Sequence, residues 1–550
     1  MKACIRSVLR QWHWIFFAAV VLLTVGMNVF VANHILDGDA SDHMLRGWII
    51  AQEKNPFTHN YCYTTEVSLP GVSWFFSLFF LFSDDWSLVR ICGTLVIQAL
   101  YVLSFFYLCK RAHIGSLRVR AIAAALLLLP FSVPYARIVL YHLYYAIYLT
   151  NAFWMVGLTL GLMEARSVRK AAWPACLLAA LWLCAGLNGI RYMMILGAPM
   201  LAFAVVQALL TLRHYRWEKG RLLGEGGSFF SSDAMRLIWI LTGSFLFFLT
   251  GYALNVKVLL PFYGIVDSSA TFFFPGENAE HYASMFNSWL VAIGVRSSRL
   301  PTVGITGVSL LAALVSFGYL LCISASNVWD MRTPVVSRMA PGLLFSSFVT
   351  TTLIFIFDSG WRHYSLYYVP VVAFAYPALA AELARLKESA VSASRKLLIL
   401  LTCMCFLFQG AYTVYYIAVD RWDMDSWTGL SNQDIFLVDT ARAYADFMQD
   451  NGYTYALAPY WYANVMMELT DGKLTVGAVE LVEKEGELVL RPGRWGTPKA
   501  VADGENLPER MVVFIGEDDV ARFEQAFPQL PKVFEYWHTC AYEITPDVLF

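Results

Sequence analysis

The chain has 550 residues, 58% of them hydrophobic and only 15% charged, with a mean hydropathy of +0.53. That composition excludes an ordinary soluble globular chain and points to a protein with many membrane spans. The net charge of −1 hides a division, because residues 1–418 hold 30 Lys+Arg against 18 Asp+Glu, whereas residues 419–550 hold 10 against 23. Two domains follow, a membrane part over 1–418 and an acidic tail over 419–550, and an acidic tail offers no basic surface to nucleic acid.

At the N-terminus, Lys2, Arg6 and Arg10 precede an apolar run from Trp14 to Ala32. The run resembles a signal peptide but is too long and lacks a small-x-small cleavage site, so it reads as an uncleaved first span. Further apolar runs lie at 88–109, 120–136, 142–163, 171–187, 192–212, 237–257, 302–324, 339–357, 366–383 and 397–418. Each is near or above the length needed to cross a bilayer, giving about eleven transmembrane helices. Cations concentrate in alternate loops, among them Lys110/Arg111/Arg118/Arg120, Arg166/Arg169/Lys170 and Arg385/Lys387/Arg395/Lys396. The positive-inside rule makes those loops and the N-terminus cytoplasmic, and an odd span count puts the tail outside the cell membrane.

Two external loops are long, 34–87 and 258–301. Within the first, "GVSWFFSLFFLF" at 71–82 is too short to span and reads as an interfacial or re-entrant helix. The tail alternates periods: a helix over 433–452, a strand over 453–460, a helix over 461–470, strands over 473–482 and 510–517, and a helix over 518–527. The expected fold is therefore a polytopic all-α membrane bundle with a C-terminal extracytoplasmic α/β domain. Cys62 and Cys540 are the cysteines that read as clearly extracytoplasmic, where a bridge between them is open.

Unusual groups collect on the external face. Basic residues near span ends there are Arg46, Arg90, Arg137, Arg191, Lys257, Arg296, Arg299 and Arg362. For any one of them, a snorkelling interface anchor is the plainer reading. Three clusters stand out. The run "ILDGDASDHMLRGW" puts Asp37, Asp39, Asp42 and Arg46 directly after the first span. It matches a calcium loop only in part, whereas a carboxylate partly desolvated beneath a long loop is placed to act as general base. The segment "FDSGWRHYSLYYVP" at 357–370 holds Arg362, His363 and Tyr364, a fork and two donors suited to a phosphate. The segment "AGLNGIRYMM" at 185–194 sets Asn188 and Arg191 beside two glycines, as a further phosphate contact or a tight turn with an anchoring Arg.

This pattern resembles the GT-C superfamily, polytopic glycosyltransferases that use polyprenyl-phosphate sugars, with protein O-mannosyltransferases and aminoarabinose transferases among them. The features that carry the resemblance are the acidic motif after the first span, the long first loop, the late Arg-x-Tyr…Pro segment and the external tail. The resemblance implies transfer of a sugar from a lipid-linked donor to a glycan, lipid or protein acceptor at the outer face of a bacterial cytoplasmic membrane. It places the catalytic base at Asp39 or Asp37, and Glu66, in "YTTEVSLPG", as the candidate second acid. Arg362, His363 and Tyr364, with Pro370 completing the motif, would hold the phosphate together with Arg191, Asn188, Asp42 and Arg46. An inserted His363 departs from the commoner motif. Fixed arginines make a cofactor unnecessary, while a Mg²⁺ or Mn²⁺ ion on Asp37 and Asp39 stays open because related oligosaccharyltransferases use one. The readings from other classes are a transporter or flippase for a lipid-linked saccharide, and a non-catalytic component of envelope assembly.

Overall fold

The structure, a computed structural model, describes residues 2–218, 221–224, 227–265, 279–295, 304–357, 365–420, 437–537 and 539–549. Among them, ten helices are long and apolar enough to cross a membrane, from Gln11–His34 to Ala393–Val419. An eleventh crossing is made if the bent pair Leu117–Leu128 and Val133–Tyr141 counts as one span, its two halves meeting at 96°. The chain is an integral membrane protein, and its helices fall on the apolar runs of the sequence.

The bent pair departs from the straight span expected at 120–136, and its cause is local. Leu129 is extended (φ −83°, ψ 124°), as the residue before a proline prefers, and Pro130 then cannot continue the helix. The chain restarts at Ser132, whose hydroxyl accepts from the Tyr135 amide at 3.3 Å, with Pro134 in the first turn. This break turns Arg137 toward the end of the first span.

The first long loop contains two helices, Gly38–Glu53 and Val72–Phe80. The second lies on the segment expected to form an interfacial helix. In the first, Asp37 is the N-cap, its Oδ1 accepting from the Ala40 amide at 2.8 Å, and Lys54 closes the other end in the left-handed conformation. The acidic run of the sequence is thus the start of a helix. Asp39, Asp42 and Arg46, three and four residues apart, share one face of it.

The tail is built on a six-stranded sheet: β1 Tyr455–Ala458, β2 Thr475–Lys484, β3 Glu487–Pro492, β4 Met511–Gly516, β5 Lys532–Tyr536 and β6 Thr539–Ile544. The strand order is β5-β6-β4-β1-β2-β3, with β1 parallel to β2 and β4 and the remaining pairs antiparallel. Helices Leu437–Asp450, Tyr460–Leu469 and Glu517–Ala526 accompany it. Cys540, on β6, and Cys62 are both free, so the bridge left open by the sequence is not formed.

This domain is docked against the membrane part. A buried apolar cluster runs continuously from Leu36, Met44 and Leu45 of the first loop to Ala463, Val465 and Met466 of the tail. Buried Arg90 pairs with Glu468 through two bonds of 2.5 Å and also donates to the Ala40 carbonyl at 3.1 Å. Tyr61–Cys62 pairs as a strand with Thr497–Pro498, and the Trp86 amide donates to Asp471 at 3.0 Å. Gly38 permits the close approach: a Cβ there would stand 3.0 Å from the Trp461 Cα and the Tyr460 carbonyl oxygen.

Candidate active site

A cavity of about 360 Å³ opens where the acidic helix, the broken span and the tail meet. From the acidic helix it is lined by Asp39, Asp42, His43 and Arg46; from the rest of the first loop, by Thr64 to Glu66 and Ser68 to Val72 without Leu69. Arg137, Tyr144, Tyr145 and Tyr148 line another side, with Asn188, Arg191 and Tyr192. Tyr460, Trp461 and Trp495 of the tail complete it.

The three aspartates are chemically distinct. Asp37 is fully engaged: Oδ1 takes the Ala40 amide and, at 2.5 Å, the Tyr144 hydroxyl, while Oδ2 takes Arg137 (Nε at 2.8 Å) and faces His142 Nδ1 at 3.0 Å. Burial alone would raise its pKa, but the charges of Arg137 and His142 and these bonds hold it well below the usual carboxylate range. Asp37 is therefore a fixed anion that anchors Arg137.

Asp39 is half-buried, faces the cavity and accepts a hydrogen bond from the Tyr460 hydroxyl at 2.7 Å. Burial, then the neighbouring Asp37 charge, push its pKa up to about 6, against the opposing pull of Tyr460. A carboxylate tuned to that value is ionised at neutral pH yet basic enough to take a proton. Asp42 is buried, and its Oδ1 has no hydrogen-bond partner. Burial pushes its pKa up to about 7, partly offset by Arg46 and reinforced by Asp39.

The cations differ in the same way. Arg137 is tied to Asp37, and Arg191 to Glu66 at 3.4 Å and to the Thr65 hydroxyl at 3.2 Å. Glu66 also accepts from the Tyr148 hydroxyl, and from the Ser68 hydroxyl at 3.3 Å. Arg46 is the contrast. Its Nε donates to the Ser73 hydroxyl at 2.7 Å, but it is 4% exposed and its second terminal nitrogen has no hydrogen-bond partner. A buried guanidinium donor left unpaired costs free energy that a bound anion would recover.

The residues singled out in the sequence thus fall into three groups. Asp39, Asp42, Arg46, Glu66, Asn188 and Arg191 line one cavity, although the Asn188 amide is spent on the backbone of Leu69, accepting from its nitrogen at 2.5 Å and donating to its oxygen at 2.8 Å. Asp37 sits behind the wall. Arg362, His363 and Tyr364 lie outside the described residues, while Leu366 and Tyr367, just after them, line the cavity. Sequence reasoning passed over Tyr144, Tyr148, Tyr460, Trp461 and Trp495. The aromatic runs "YHLYYAIY" (141–148) and "PYWY" (459–462) were the only signal for the first four, and Trp495, in "RPGRWGTP", had none.

A divalent ion shared by Asp37 and Asp39 does not fit these donors, because both oxygens of Asp37 are already committed to Arg137, His142, Tyr144 and the helix cap. Among the described residues, no group of three or more His, Cys, Asp and Glu side chains is arranged to hold a metal.

No protein-family model matches the sequence, and no curated protein matches it. Solved structures do. The GT-C glycosyltransferase ArnT from Cupriavidus metallidurans, in its apo state, superposes with a TM-score of 0.55 at 12% identity, covering 99% of both chains. The chain has the GT-C fold. The same ArnT bound to undecaprenyl phosphate gives a TM-score of 0.49 at 12% identity over 98% of this chain and 99% of that one. An Archaeoglobus fulgidus oligosaccharyltransferase, solved with zinc and sulfate, gives 0.44 at 14% identity over 95% of this chain and 72% of its own. In this chain the cavity lies between the membrane helices and the tail, at the end of the first span.

Proposed function

We propose that the chain is a glycosyltransferase that moves a sugar from a polyprenyl-phosphate-linked donor to a cell-envelope acceptor on the extracytoplasmic face of a bacterial membrane. The fold supports the class of enzyme, and the observation that carries the chemistry is the meeting of Asp39 and Arg46 in one cavity. The first is a carboxylate with its pKa near 6; the second is a buried guanidinium with an unspent donor.

In this reading the acceptor hydroxyl attacks the anomeric carbon, the bond from that carbon to the phosphate oxygen breaks, and the phosphate departs with the bonding electron pair. Asp39 takes the hydroxyl proton. Arg46, with Arg191 lining the same cavity, holds the charge that grows on the phosphate. Glu66 keeps Arg191 in place, and Asp37 keeps Arg137 behind the base, so neither is asked to handle a proton. Attack from the face opposite the leaving group inverts the anomeric centre, and no step requires a metal ion. Arg362, His363 and Tyr364 remain candidates for the same phosphate.

The test compares envelope glycans of a deletion strain complemented with wild type or with Asp39→Asn. Asn keeps the shape and the bond from Tyr460 but cannot take a proton, so transfer falls by about 10²–10⁴-fold with membrane insertion unchanged. Full glycosylation by a normally inserted Asp39→Asn chain overturns the assignment.

A further inference from the structure

We propose that Trp461 and Trp495 of the tail form a stacking platform for a sugar ring of the acceptor, so that the acceptor is itself a saccharide. This rests on the glycosyltransferase reading and adds to it which wall of the cavity takes which substrate.

Both indoles line the cavity while remaining 39% and 43% exposed, so each presents an open face rather than filling a core. Large apolar faces left open at a site carry more information than polar ones there, since water covers them poorly. Both stand on fixed backbone. Trp461 follows Tyr460, whose hydroxyl is bonded to Asp39, and its Cα packs where Gly38 has no side chain. Trp495 precedes Gly496, which takes the left-handed conformation (φ 60°), donates to the Cys62 carbonyl at 3.1 Å and accepts from the Asn464 amide at 3.1 Å. A Cβ on Gly496 would stand 2.7 Å from Asp42 Oδ1, so the loop that carries Trp495 passes tightly against the acidic helix.

The composition of the walls decides the ligand. A sugar ring has an apolar face of C–H bonds and a rim of hydroxyls. The indoles suit the first, and Asp39 with the unpartnered Asp42 Oδ1 suits the second. The cations Arg46, Arg137 and Arg191 all belong to the membrane part, as a lipid-anchored phosphate requires, and among the described residues the tail contributes none of the cavity-lining cations. The tail wall is thus left for the partner that brings the hydroxyl, with Asp39 between the two.

The experiment is saturation-transfer NMR on the full-length protein in nanodiscs of palmitoyl-oleoyl phosphatidylglycerol, titrated with methyl glycosides of common pyranoses and furanoses. At least one glycoside should receive saturation on its C–H face, with affinity lost about tenfold or more in Trp461→Ala and Trp495→Ala. Phe at either position should restore part of it, and Trp173→Ala, which removes an exposed indole that does not line the cavity, should leave it unchanged. Binding by no glycoside, or binding that survives the double Ala variant, overturns the platform. So does quenching of the two indoles by doxyl-labelled lipids, since they would then be interface anchors. If glycosides bind through the pair but Asp39→Asn retains transfer, the base assignment fails and the platform stands; the reverse pattern removes the platform alone.

Discussion

Tyr460 offers a sharp test of the base, because it comes from the tail and touches the proposed base at one atom. Its hydroxyl donates to Asp39 Oδ1 at 2.7 Å and stabilises the ionised carboxylate, opposing the burial that raises the pKa to about 6. A hydrogen bond to a charged group contributes about 1.5–3 kcal/mol, equivalent to roughly one to two pKa units. Since Asp39 is only half-buried, the lower figure applies. Tyr460→Phe should therefore move the acid limb of the pH–rate profile from about 6 to about 7. The sign is fixed: the base must be ionised, so activity is lost as pH falls, and the variant loses it earlier. At pH 6 the ionised fraction would fall from about one half to about one tenth, a loss near fivefold, whereas at pH 8 both forms would stay within about a tenth of their plateau. The assay is transfer from membrane-extracted donor lipids in nanodiscs across pH 5–9, with Asp42→Asn as a control background so that its own titration near 7 does not enter. A uniform loss at every pH would make Tyr460 a structural contact only. An unmoved acid limb would mean that Asp39 is not the group that titrates.

Two other substitutions probe the groups around it. Asp37→Asn keeps the helix cap but removes the carboxylate charge that faces buried Arg137, so it should cost about 3–5 kcal/mol and appear as loss of folded protein on size-exclusion chromatography. Asp37→Asn with Arg137→Met should recover much of that, and a double variant no better than the single one argues against the pair. Asp42→Asn should raise the thermal midpoint at pH 8. Its native pKa near 7 lies above the ordinary carboxylate value of 3.8, so the folded state carries no penalty below about pH 4 and the full penalty, about 2–4 kcal/mol, above pH 7. The gain should vanish at pH 4, and a gain equal at both pH values would point to packing instead.

How much of this was legible in the sequence depended on the range of the signal. Span positions were readable because twenty apolar residues in a row are a local property. The third span is the instructive exception: Pro130 and Pro134 were visible, but hydropathy averages over them, and only their geometry turns the chain by 96°. In the tail, β1, β2 and β4 are apolar runs and were read, whereas β3 was missed although Glu485-Gly486, both at positive φ, form the kind of turn that closes a hairpin. Strands β5 and β6 lie in "KVFEYWHTCAYEI", whose mixed polarity gives no clean alternation.

The site divides along the same line. "DGDASD" announced its chemistry by composition, yet no local rule could say which aspartate was spent. That is decided from a distance of 100 residues, by Arg137 arriving on Asp37, and from 421 residues, by Tyr460 arriving on Asp39. Asp37, held ionised by its partners, acts on Asp39 as a fixed negative charge close by, which raises the basicity of the neighbour it cannot replace. The tail's Glu468 then locks the span that carries Arg90 onto the carbonyl of Ala40, between the two acids Asp39 and Asp42. Removing the tail would therefore strip the base of its hydrogen bond and loosen the helix that presents it. In the proposed function the acidic domain is therefore part of the active site and more than a cover over it.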